Sequence, residues 1–301
     1  MKYFISAIVV LALAAAGIYW YTQRSAPPVA ESPSATEQEE QPATTTAATP
    51  PAPTKEQEVI GTSIEDRDIV AYHFGSGNKE ILFVGGIHGG YEWNTVLLAR
   101  ELVKYLKANP SAIPSNVKVT VIPTLNPDGL AKVVSDPDDF AASDVSASQA
   151  KQVEGRFNAN NVDLNRNFDC DWKASGTWQS KTVSGGDKAF SEPESRAFRE
   201  YVESHSIAAA VVWYSSAGGV FASTCHNGIL PETSELTTLF AKASGYKAYE
   251  SFDFYAITGD AVNWLAKQKI PAISVLLTTH TDVEWDKNLK GVLAVLESYA
   301  D

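Results

Sequence analysis

The stretch VGGIHGGYEWNT, residues 84–95, ends an apolar run with His88 and places Glu92 four positions further on. An imidazole nitrogen and a carboxylate are a donor mixture that zinc accepts. The surrounding glycines 85, 86, 89 and 90 permit a sharp turn and close approach of a ligand. A capped helix with a solvated side chain would use the same residues, so this stretch alone leaves both readings open. Residues 154–172, EGRFNANNVDLNRNFDCDW, are dense in Asn, Asp and Arg. There the Arg166 fork can take a carboxylate bidentately, or pair internally with Asp163 or Asp169. His280, Asp282 and Glu284 in TTHTDVEW form a third polar group. They read best as a helix start, with Thr281 or Asp282 as cap and Glu284 in the first turn.

These residues need elements to hold them. Residues 81–86, 117–123, 208–216 and 271–279 are near-continuous apolar runs, as strands buried on both faces would be. Between them NTVLLARELVKYLK puts Leu98, Leu102, Tyr105 and Leu106 on one helical face. SEPESRAFREYVESH opens with Ser191 and Glu194 spaced as a capping box. Alternating strands and helices imply an α/β domain over residues 59–301, ordinary in size for a single domain.

In order along the chain come the His88/Glu92 turn, NPDG (126–129), Arg156 followed by DLNRNF (163–168), SEPE (191–194), WYSSAGG (213–219) and the 252–277 segment. Together they resemble the zinc carboxypeptidases of the carboxypeptidase A type, over nearly all of residues 80–300. The resemblance implies a mixed, mostly parallel eight-stranded sheet flanked by helices. It also implies one zinc ion held by His88, Glu92 and a third ligand from a later strand. By the same resemblance Arg156 steadies the carbonyl oxygen as it gains charge, while Asn165 and Arg166 grip the substrate's terminal carboxylate. Tyr255 corresponds to the mobile tyrosine that closes over substrate. Val262 falls near the position shaping the side-chain pocket, which favours an apolar or small group.

The chain departs from that pattern in three places. His88 and Glu92 are separated by three residues where the family has two, a surplus that Gly89 and Gly90 can absorb. The third-ligand position holds Tyr214, whose phenol binds metal only as phenolate; His280 is the best substitute. The general-base position, Leu276 or Leu277 depending on strand register, has no carboxylate. Two functions are therefore expected as alternatives. One is an exported zinc metallocarboxypeptidase that hydrolyses C-terminal bonds of peptides or cell-wall peptides. The other is a catalytically impaired member, a pseudoenzyme, that binds peptides by a free C-terminal carboxylate. A serine hydrolase is disfavoured because no G-x-S-x-G elbow follows a strand.

The rest of the chain concerns placement. Residues 1–24 carry Lys2 and then an uncharged run from Tyr3 to Tyr21, with Tyr19, Trp20 and Tyr21 at its end. This suits a membrane anchor facing the extracytoplasmic side, or a signal peptide cleaved after Ala12-Leu13-Ala14 to give a secreted protein. Residues 25–58 hold no aromatic and only Val29 among large aliphatics, a composition that cannot offset its ordering entropy and reads as a disordered spacer. The net charge of −12 supplies no basic stripe for nucleic acid. Cys170 and Cys225 are a disulfide or two buried thiols. No oligomeric state is indicated.

Overall fold

A computed structural model describes residues 55–300. The anchor or signal segment, 1–24, and the spacer up to residue 54 lie outside the described residues. The described residues build ten strands and seven α-helices in this order: β1 Gln57–Thr62, β2 Asp68–Gly75, β3 Lys79–Val84, α1 Trp93–Ala108, β4 Val117–Ile122, α2 Pro127–Ala131, α3 Gln149–Glu154, β5 Ser175–Trp178, β6 Lys181–Ser184, α4 Pro193–Ser204, β7 Ile207–Ser215, β8 Gly219–Ala222, α5 Pro231–Ser244, β9 Lys247–Tyr249, α6 Ala261–Lys267, β10 Ala272–Leu277 and α7 Trp285–Ser298. The first strand starts at Gln57, so the last residues assigned to the spacer are already part of the sheet.

Eight strands form one sheet in the order β1-β2-β4-β3-β7-β10-β8-β9, and β5 with β6 makes a separate hairpin. Four of the seven neighbouring pairs are parallel: β3 with β4, β3 with β7, β7 with β10, and β8 with β9. The remaining three are antiparallel. The expected mixed, mostly parallel sheet flanked by helices is the one observed.

Because successive strand residues point to opposite faces, each central strand feeds two layers. Phe83, Val211, Trp213, Val275 and Leu277 pack with Leu98, Leu102 and Leu106 of α1, Phe240 of α5 and Leu296 of α7. Leu82, Val84, Val212, Tyr214 and Leu276 pack on the other side, with Phe198 and Tyr201 of α4 and Val262 and Trp264 of α6. In the β7–β10 ladder Tyr214 stands opposite Leu276, and Ser215 opposite Leu277. Leu276 therefore shares the face of Tyr214, and Leu277 belongs to the other layer.

Two expected helix starts differ. Helix α4 begins at Pro193 with Glu192 as its cap residue and no side-chain cap bond. Ser191 Oγ instead donates to Glu192 Oε1 (2.6 Å) and accepts from Asn167 (2.9 Å), because the buried asparagine loop competes for it. At α7 the cap residue is Glu284. Asp282 accepts the Glu284 backbone N–H, and Thr279 accepts that of Asp282, so the cluster orders the preceding loop.

Candidate active site

After β3 the chain turns through Gly85 and Gly86 into a 3₁₀ turn, Gly89–Glu92, which runs into α1. His88 precedes the turn and Glu92 closes it, so the extra residue is taken up there. Gly89 sits at φ +43°, and a Cβ on it would lie 2.8 Å from Asn126 O and 2.9 Å from Gly155 O. A Cβ on Gly90 would meet Val133 at 2.5 Å. The turn exists because those two positions are glycine. The NPDG segment supports it from below: Asn126 caps α2 and donates to Arg156 O (3.2 Å).

His88 Nδ1 lies 2.9 Å from Glu92 Oε1, and Nε2 lies 3.4 Å from Asp163 Oδ1. Neither approach has hydrogen-bond geometry, so both ring nitrogens and Glu92 Oε2 are buried without a partner. Orphaned buried polar atoms cost about 1–3 kcal/mol each. A cation between Nδ1 and Glu92 would relieve two of them, while Asp163 would receive Nε2–H, as carboxylates commonly orient metal-binding imidazoles.

Asp163 is fully buried and takes Arg156 through Nε (3.0 Å) and Nη2 (2.8 Å) on its Oδ2. Burial works to raise its carboxyl, but the Arg156 guanidinium and then His88 outweigh it and hold the group well below the usual carboxylate range. Arg156 lies under the Trp178 ring of the β5–β6 hairpin, 4.4 Å from its centroid.

A cavity of about 500 Å³ opens beside these groups, at the carboxyl ends of β3, β7 and β10. This is where open α/β sheets place ligands. His88, Glu92, Arg156, Asn165, Tyr214, Tyr255, Val262, Leu276 and His280 all line it. Arg166 does not: it is buried, and its fork donates to Asn165 O and Thr177 O, each at 2.7 Å. Asp163 and Asp169, its two candidate partners from sequence, pair with Arg156 and Lys267 instead. Asn165 Oδ1 accepts from the Tyr214 hydroxyl (3.1 Å) and from Ala261 N (3.1 Å). Tyr255 packs on Phe252 at 5.0 Å between ring centroids.

Tyr214 therefore reaches the neighbourhood of His88 and Glu92 with its hydroxyl committed. Its ring centroid is 5.6 Å from that of His88. Burial, with Asp260 and Glu92 adding to it, pushes the phenol well above its ordinary value. A phenolate ligand is thus expensive here. His280 stands against Tyr91 at 4.5 Å between ring centroids, with Nδ1 buried and unpartnered. It does not converge with His88 and Glu92: among the described residues, the one grouping of three metal-type donors is Cys170, Cys225 and His226. Those two sulfurs are joined in a disulfide, Cα–Cα 6.2 Å, beside an exposed histidine. The donors present fit two arms of a zinc site and leave out the third.

Known proteins agree with this architecture. A family model described as zinc carboxypeptidase matches residues 44–271, more than half of the chain. The chain belongs to the zinc carboxypeptidase family. Among its curated relatives is a gamma-D-glutamyl-L-diamino acid endopeptidase 1 of Lysinibacillus sphaericus, 25% identical over 65% of this chain and 54% of that one. Another is carboxypeptidase B of Astacus astacus, 31% identical over 48% of each chain. This carboxypeptidase-family chain thus spans about half the length of those two relatives. Its fold is that of a murein-tripeptide amidase from Escherichia coli O157, with a TM-score of 0.60, 21% identity and coverage of 82% of this chain and 93% of that one. It is also that of carboxypeptidase A from Helicoverpa armigera, with a TM-score of 0.64, 19% identity and coverage of 81% and 69%.

Three residues near the cavity had no site role in the reading from sequence. Asp163, in the DLNRNF motif, was named only as a candidate partner of Arg166, whereas it pairs with Arg156. Trp178 arrives on a hairpin with no motif of its own. Asp260, in TGDAVNW, looked like an ordinary residue before a helix; burial raises its carboxyl to about 6, against the opposing pull of Arg166 and Asn263.

Proposed function

We propose that this domain holds peptides by a free C-terminal carboxylate in the cavity and hydrolyses them weakly or not at all. The observation that carries this is Leu276, on the cavity wall opposite Tyr214, where the family reaction needs a carboxylate. Without a general base the chemical step loses about 10²–10⁴-fold. Arg156 is the cation best placed to meet the peptide carboxylate, since its Nη1 is not committed to Asp163. Asn165 and Tyr255 stand on the same wall. Arg166 has both Nη1 and Nη2 committed to backbone carbonyls at 2.7 Å and does not line the cavity.

The orphaned atoms of His88 and Glu92 favour a second reading, in which the pair still holds a zinc ion and a slow hydrolysis persists. A bound zinc would supply Lewis acidity to the scissile carbonyl. The names of the Lysinibacillus relative and the murein amidase support a cell-wall peptide as the bound molecule. The N-terminal apolar run supports an exported, membrane-tethered placement, or a secreted one if that run is cleaved.

Metal analysis of the purified protein, paired with an assay for release of C-terminal residues, separates the two readings. The expected result is substoichiometric zinc and turnover at least about 100-fold below that of the Tyr214→His/Leu276→Glu double variant. Wild-type turnover matching that variant would overturn the impaired reading. Stoichiometric zinc with slow turnover would establish the second.

A further inference from the structure

We infer that Glu194 is held as a neutral acid beside the Glu192 carboxylate, where α4 meets the 154–172 loop, and that the two form a pH-sensitive latch. Ionisation of Glu194 loosens the loop that carries Arg156, Asp163 and Asn165.

Both glutamates belong to the SEPE segment and are buried, Glu194 completely. They meet on one donor, Asn158 Nδ2, which reaches Glu192 Oε2 at 2.8 Å and Glu194 Oε2 at 3.2 Å. Their shares are unequal. Glu192 also accepts from Asn160 Nδ2 (2.9 Å) and from the Ser191 hydroxyl (2.6 Å). Glu194 Oε1 is buried with no hydrogen-bond partner. A buried carboxylate with a bare oxygen is costly, and a proton removes the charge that makes it so.

The surrounding cations are engaged elsewhere. Among the described residues no ion pair includes Glu192 or Glu194. On α4 itself Arg196 donates to the backbone oxygens of Phe190 and Ser191. In the loop Arg156 is taken by Asp163. From α2 comes a further negative charge, Asp128, which holds Arg67 at 2.7 Å. Lys132 is bound to the carbonyls of Glu154, Phe157 and Asn158. Burial first, with Asp128 and Glu192 adding to it, lifts the Glu194 carboxyl to about 7, against the pull of its own backbone N–H and of Asn158.

The same asparagine organises the loop. Asn158 Oδ1 accepts the backbone N–H of Asn160 (3.1 Å) and of Val162 (3.0 Å). Asn167 makes a second tie to α4, accepting from Glu192 N (3.1 Å) and from the Ser195 hydroxyl (2.6 Å). Asp163 and Asn165 lie between the two ties, and Arg156 stands just before the first. A charge appearing on Glu194 is repelled by Glu192 and drawn toward water, and it strains the amide they share. The raised native value means that the folded chain holds this proton more tightly than the unfolded chain. The stability it contributes is whole below the ordinary glutamate value near 4.5 and is lost as pH rises to about 7.

The test compares wild type with Glu194→Gln, which keeps the shape of the neutral acid and cannot ionise. Between pH 5 and pH 8, urea denaturation should show the wild-type unfolding constant rising at least about tenfold more than that of the variant. At pH 8 the Asn160 and Val162 amides should exchange with solvent faster in wild type than in the variant. Parallel pH dependence in the two proteins, or equal exchange at both amides, overturns the inference. So does a native Glu194 carboxyl that titrates near 4.5 by carboxyl-carbon NMR. That measurement needs only wild type and decides alone if the variant does not fold. Added Ca²⁺ or Mg²⁺ abolishing the wild-type decline would also overturn it, by assigning the bare oxygen to a cation.

Discussion

At the scale of single residues, Asp163 carries the most. One carboxylate holds Arg156 through two nitrogens on Oδ2, accepts the Asn165 backbone N–H on Oδ1 (3.1 Å), and faces His88 Nε2. Asp163→Asn would strand the buried guanidinium, which costs about 3–5 kcal/mol when a buried pair is broken. Urea denaturation should show that loss. Burial alone would raise this carboxyl, but Arg156 and His88 hold it below its ordinary value near 3.8. A depressed native value means the stabilisation is present above that pH and is lost on acidification below it. The variant should accordingly lose part of the wild-type decline in stability on the acid side. An acid slope identical to wild type would show that Asp163 does not set it.

At the scale of elements, the turn between β3 and α1 and the paired ends of β7 and β10 decide what the cavity contains. Gly89→Ala places a methyl group at φ +43° against two backbone oxygens that cannot withdraw. Strain of this kind costs about 1–3 kcal/mol. The melting temperature should fall, and whatever metal affinity His88 and Glu92 possess should fall with it; a variant of unchanged stability would contradict the packing described. The β7–β10 ladder also removes an ambiguity. A glutamate at 276 faces the cavity, whereas one at 277 enters the layer packed against α1, α5 and α7. The near-continuous apolar runs announced both strands. It could not say which leucine faced the site, because a strand buried on both faces shows no polar side.

At the scale of the whole molecule, the disulfide between Cys170 and Cys225 joins the end of the 154–172 loop to the chain just beyond β8, across 55 positions. A closed loop of that length stabilises the native state by about 4 kcal/mol through the unfolded chain. Reduction should lower the unfolding midpoint accordingly; no change on reduction would show that the native contacts suffice. The sheet, its flanking helices and the turn that carries His88 and Glu92 were legible from sequence, because apolar runs and spaced motifs are local signals. The part of the cavity wall made by Trp178 and Asp260 was not, because it assembles from segments that lie far apart in the chain. The orientation of Arg166 escaped for the same reason: nothing near it in sequence shows that Thr177 O would take one arm of its fork.

The two oxygens of Asp163 have a thermodynamic consequence. A cation bound at His88 and an anion bound at Arg156 would each draw on the same carboxylate, from opposite sides. Their affinities are then linked, and any factor by which one changes the other must be returned in full. A metal titration run with and without a carboxylate ligand would measure that factor directly, and replacing Asp163 should change it.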